Sequence, residues 1–68
     1  MMRGDYPSIS LKAARVNAGL TQKEAALKLG ISKETLQNYE NGITAPTMQR
    51  VDEISELYHF PKDYIFFG

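Results

Sequence analysis

A chain of 68 residues is too short for more than one ordinary domain, and without cysteine it has neither a disulfide framework nor a thiolate metal site to staple a small core. Hydrophobic residues at 43% and charged residues at 24% are the balance of a folded soluble domain rather than a disordered segment. Eight basic and eight acidic residues cancel, which excludes a globally basic surface, and no apolar run approaches the length that crosses a membrane.

Residues 1–7 read as an N-terminal arm ending at Pro7, with no apolar signal-peptide segment; together with the absence of cysteine this fits a cytoplasmic address. Residues 8–68 read as the folded domain. A first helix begins near Ser8 to Ser10, carries Leu11, Ala14 and Ala18 on one face and stops at Gly19. The second has the sharpest start in the chain: Thr21-Gln22-Lys23-Glu24 is a capping box, in which hydroxyl and carboxylate satisfy each other's orphan amides. It turns Ala25, Ala26 and Leu29 inward and ends at Gly30. Ser32 caps a third helix running through Leu36 and Tyr39 to Asn41-Gly42. Thr47 caps a fourth, with the stripe Met48, Val51, Ile54, Leu57 and Tyr58. Pro61 suits the first turn of a short fifth helix through Tyr64 and Ile65. No strand-like alternation persists long enough to build a sheet, so the expected architecture is all-α, five short helices joined by tight turns.

The second and third helices carry the functional signal. Ala26 leaves room for a steep crossing, Gly30 supplies the positive φ of a tight turn, and Ile31 plugs the corner between the helices. Leu36 and Tyr39, three apart, face back onto the second helix. This is a helix-turn-helix over about residues 21–41, whose second element, about 32–41, is the one that enters a DNA major groove. Its outward face holds Lys33, Glu34, Gln37 and Asn38, whose polar ends suit base edges. Charge distribution agrees. Through Arg50 there are seven cations (Arg3, Lys12, Arg15, Lys23, Lys28, Lys33, Arg50) against four carboxylates, whereas from Val51 onward Lys62 stands against Asp52, Glu53, Glu56 and Asp63. A basic front and an acidic back point one face at a polyanion.

The segments Gly19-Leu20-Thr21-Gln22-Lys23-Glu24-Ala25-Ala26, Leu29-Gly30-Ile31-Ser32 and Leu36-Gln37-Asn38-Tyr39-Glu40-Asn41-Gly42 resemble the Cro/repressor-type (XRE-type) helix-turn-helix family, particularly its small phage and prophage regulators. The likeness covers about Ile9 to Gly68. It implies a five-helix, lambda-repressor-like domain that binds operator DNA, usually as a homodimer on a pseudo-palindromic site, and represses or switches transcription. By the same resemblance Lys33, Glu34 and Asn38 fall where the family reads bases, with Thr35 and Gln37 beside them. Gln22 corresponds to the glutamine that bonds a phosphate and braces the recognition helix, a role that carries no sequence information. Ser32 and Asn41 match backbone-phosphate positions, as Thr35 can, and Arg15 and Glu40 match a salt bridge between the first and third helices. Glu34 departs from the pattern, placing a negative charge where glutamine or serine is common; it either reads a cytosine amino group or excludes other sequences.

Other chemistry is poorly supplied. His59 stands alone without cysteine, Asp52, Glu53 and Glu56 read as an exposed acidic face, and the serines lack a His/Asp set, so no enzyme, cofactor or metal site is expected. Five aromatic residues between Tyr58 and Phe67 exceed what so small a core covers, which points to a dimer interface. The rival reading is a protein-interaction module on the same fold that has lost DNA binding, such as a partner-neutralising protein; the zero net charge is what favours it.

Overall fold

Every α-helix among the described residues starts on a hydroxyl cap. The computed structural model describes residues 8–67, so the expected arm over residues 1–7 lies outside the described residues. Ser10 Oγ accepts the Ala13 amide at 3.0 Å and opens α1, Leu11–Asn17. Thr21 Oγ1 accepts from Glu24 N at 3.1 Å while Glu24 Oε1 accepts from Thr21 N at 2.9 Å, the reciprocal box that opens α2, Gln22–Leu29. Ser32 Oγ accepts from Thr35 N at 3.0 Å before α3, Lys33–Glu40, and Thr47 Oγ1 from Arg50 N at 3.2 Å before α4, Met48–Tyr58.

The turn between α2 and α3 rests on Gly30, at φ +72°. A β-carbon there would meet no atom within 4 Å, so the requirement is the left-handed backbone and not space. The stop of α4 uses His59, a residue with a β-carbon, in the left-handed region at φ +53°. Phe60 N–H then reaches back to the Ser55 carbonyl at 3.2 Å, and Ser55 Oγ donates to the Phe60 carbonyl at 2.7 Å.

The helices close around Leu11 and Ala14 of α1, Ala25, Ala26 and Leu29 of α2, Leu36 of α3, and Ile54 and Tyr58 of α4. Leu36 and Ile54 are wholly buried, and Ile31, Tyr39 and Leu57 pack against this core from its rim. Arg50 ties α4 to α2, donating from Nη1 to the Leu29 carbonyl at 2.8 Å, one of the orphan acceptors at the end of α2.

Two expectations need correcting. The fifth helix is a single 3₁₀ turn, Lys62–Tyr64, entered from Pro61 and leading directly into β2, Ile65–Phe66. This strand pairs in parallel with β1, Ile9–Ser10, in the register Ile9 to Ile65 and Ser10 to Phe66. A helix continued through Ile65 could not lay the chain beside Ile9, and the extended backbone that can also buries Ile65. A two-residue ladder is too short to announce itself as alternation. Met48, expected on the apolar stripe of α4, is 70% exposed. Six residues from Ile54 at 100° per residue leave it about a third of a turn off the buried line.

Candidate nucleic-acid interface

The outward face of α3 follows from its inward one. With Leu36 buried and Tyr39 packed against the core, Lys33, Glu34, Gln37 and Asn38 occupy an arc of about 140° on the other side of the helix. Lys33 and Glu34 are exposed, while Gln37 and Asn38 are half-buried. Ser32 and Thr35 stand at the start of α3 with their hydroxyls 2.8 Å apart. Asn41 is exposed at its end. The Asn38 carbonyl accepts from Ile43 N at 2.9 Å, holding the following loop against that end.

Beneath this face lies a buried ion pair. Arg15 Nε donates to Glu40 Oε2 at 2.7 Å and Nη2 to Oε1 at 3.5 Å, while Nη1 donates to the Leu20 carbonyl at 2.8 Å. The two side chains are only 8% and 3% exposed, so the pair works in a low dielectric, where a charge-assisted bond is strong and a stranded charge is costly. It locks α3 to α1 and to the loop before α2. Burial pushes the nearby Tyr58 hydroxyl up to about 12, and the Glu40 carboxylate adds to the shift. Among the described residues that hydroxyl has no hydrogen-bond partner.

Gln22, expected on phosphate, is tied into the same network. Its Nε2 donates to Glu40 Oε1 at 3.0 Å, and its Oε1 accepts from Gln37 Nε2 at 3.2 Å. The Gln22–Gln37 contact has no signal in spacing, because it joins two different helices.

Next to the outward face of α3 is an open hollow of about 400 Å³, lined by Lys12, Arg15, Thr21, Gln22, Lys23 and Lys33. Lys12, Lys23 and Lys33 make no ion pair within the described residues. Nothing in the sequence marks Lys12 and Lys23 beyond their place in the basic front of the chain; only the tertiary structure gathers them with Lys33. Two other cations of that front are internal ties, Arg15 on Glu40 and Arg50 on Glu53 at 2.7 Å. A lysine-lined hollow beside a helix face carrying amides, a carboxylate and an ammonium can neutralise phosphates on one side and address base edges on the other. Among the described residues no cluster of His, Asp and Glu stands close enough to hold a metal ion, and no helix is long and apolar enough to cross a membrane.

Known proteins share this geometry's sequence. A family model described as Helix-turn-helix matches residues 11–65. The HTH-type transcriptional regulator ImmR of Bacillus subtilis (strain 168) is 46% identical over 55 residues, 81% of this chain and 43% of that protein. The cryptic phage CTXphi transcriptional repressor RstR of Vibrio cholerae is 32% identical over 54 residues, 79% of this chain and 49% of that protein. The Type II methyltransferase M1.ScrFI of Lactococcus lactis subsp. cremoris is 40% identical over 62 residues, 87% of this chain but 15% of that enzyme. The chain thus spans less than half the length of each of these relatives. No solved structure matches it significantly. With the motif, the packing of α2 against α3 and the family match in agreement, the chain belongs to the XRE-type helix-turn-helix family.

Proposed function

We propose that this chain is a sequence-specific DNA-binding transcriptional regulator of the phage-repressor type, with α3 in the major groove of its operator. The observation that carries the reading is the adjacency of two surfaces: the polar arc of α3 and the hollow of Lys12, Lys23 and Lys33, whose ammonium groups make no ion pair among the described residues. Two relatives named as a transcriptional regulator and a transcriptional repressor support it. In this reading Lys33, Glu34, Gln37 and Asn38 contact bases. Gln22, Ser32, Thr35 and Asn41, joined by Lys12 and Lys23, hold phosphates and set the register of the helix on the duplex. The methyltransferase match covers a small part of that enzyme, and we read no catalysis into the present chain. A homodimer on a pseudo-palindrome supplies the second half-site, with Phe66, 64% exposed in β2, at the surface available for pairing.

The zero net charge favours the rival reading, a module that binds protein rather than DNA. A gel shift of the pure protein on its own upstream region at two salt concentrations separates them. A complex that weakens steeply with added salt supports DNA binding, because released counterions give phosphate contacts that signature. No complex at low salt overturns it.

A further inference from the structure

The chain of hydrogen bonds from Arg15 to the outward face of α3 has a direction. Glu40, paired with the Arg15 guanidinium, is a carboxylate and can only accept. The end of the Gln22 amide against it must therefore be the NH₂ group, as the 3.0 Å contact from Nε2 has it. That leaves Gln22 Oε1 pointing away from Glu40, and an oxygen there admits only a donor from Gln37. Gln37 Nε2 accordingly turns inward onto it at 3.2 Å. An unrestrained glutamine presents either end of its amide to a base pair; in this chain one buried charge orients two amides in sequence. Among the described residues nothing is bonded to Gln37 Oε1.

We infer that the Glu40–Gln22–Gln37 relay sets the polarity of the α3 reading face, so that Gln37 offers the DNA an acceptor and selects a base with an exocyclic amino group in the major groove. Adenine N6 and cytosine N4 supply that donor, whereas guanine O6 and thymine O4 set an acceptor against Gln37 Oε1 and have only the second hydrogen of Nε2, on the amide end held toward Gln22, to turn to. Gln22 is thus a positioning residue for specificity in addition to a phosphate group, which revises the expectation that it carries no sequence information. The inference rests on the DNA-binding reading and deepens it.

Binding-site selection from a random duplex pool tests it, run on the intact chain, Gln37→Ala, Gln22→Met, and the double variant Gln22→Met with Gln37→Glu. Methionine keeps the length of Gln22 and leaves the Arg15–Glu40 pair in place, and a thermal melt of each variant checks that it folds. The unaltered chain should select adenine or cytosine at one position per half-site, by roughly five- to a hundredfold over guanine and thymine. Gln37→Ala and Gln22→Met should each lose the preference at that same position and no other. The double variant should regain it at lower overall affinity, because a carboxylate accepts whichever way it turns. A general loss of affinity on Gln22→Met with an unchanged motif overturns the relay while leaving DNA binding intact. So does a restored motif that favours guanine. A pool from which the unaltered chain enriches nothing overturns the DNA-binding reading and the relay with it.

Discussion

Arg15 joins three parts of the molecule, because its guanidinium reaches Glu40 of α3 and the Leu20 carbonyl while its backbone belongs to α1. With both partners of the ion pair nearly sealed from water, losing one strands the other, at a cost of about 3–5 kcal/mol. In a domain of this size each kcal/mol is worth roughly 4–8 °C of melting temperature. Arg15→Met should therefore lower the midpoint by more than about 10 °C, and Arg15→Met with Glu40→Leu should lower it less. Losses that simply add across Arg15→Met, Glu40→Leu and the double variant would show that the residues are not coupled. Tyr58 makes the opposite prediction. Its hydroxyl is buried without a partner among the described residues, which costs about 1–3 kcal/mol, so Tyr58→Phe should hold or raise the melting temperature. Its pKa, raised from 10.0 to about 12, carries a pH signature. The folded state favours the neutral phenol, so that stability is fully present below about pH 10 and lost as the pH rises toward about 12. Melts in alkaline buffers should fall more steeply for the unaltered chain than for Tyr58→Phe; parallel curves count against this account.

At the scale of elements, the caps and turns make four short helices possible. The capping box at α2 has a titratable member: Glu24, whose carboxyl is held below its ordinary 4.5 by the Thr21 backbone amide and then by the Thr21 hydroxyl. A depressed folded value means the contribution is present above pH 4.5 and disappears as the pH falls through the folded value. Glu24→Ala should therefore melt lower than the unaltered chain at about pH 6, and the gap should close on acidification. A gap that persists at about pH 3 would show that the carboxylate charge is not its source, since alanine is itself the better helix former. The end of the chain behaves differently from these capped helices. After His59 and Pro61 only three residues turn before Ile65, and β2 spends its backbone bonds on β1, so the first and last described segments hold each other.

For the molecule as a whole, the arrangement of charge matters more than its sum. Arg15 and Arg50 are consumed internally, and the exposed lysines that remain at the hollow are few. Affinity from phosphate neutralisation is correspondingly modest for one copy. Lys12→Ala and Lys23→Ala should each weaken binding to all sequences alike and reduce the magnitude of the log–log salt slope by about one. A change in the selected motif instead would make them base readers. Two copies on one operator would recover affinity, with half-site centres roughly 34–36 Å apart. Light scattering on the protein bound to its selected duplex should give two chains per site, and Phe66→Ser should shift it toward one. A monomer on its best DNA removes the dimer from this account.

The amino-acid sequence by itself determines what acts locally: the four hydroxyl caps, the capping box, the left-handed glycine at the α2–α3 turn, and the buried lines through Ala25, Ala26, Leu29, Leu36 and Ile54. Caps and periodicities act within one or two helical turns, so the chain states them directly. The ion pair of Arg15 with Glu40 is legible only through the family resemblance, since the residues are distant in sequence. The outward arc of α3 can be read as a face; which bases it meets is what site selection measures. Tertiary structure alone decided the rest. Whether Lys62 to Phe66 coil or extend depended on the need to reach Ile9. Whether Arg50 serves the surface depended on the Leu29 carbonyl beside it, and the direction in which Gln37 turns its amide depended on a carboxylate reached through another helix. Each of these is a contact between elements, set by how steeply helices cross and where the chain returns, and no local pattern encodes those angles.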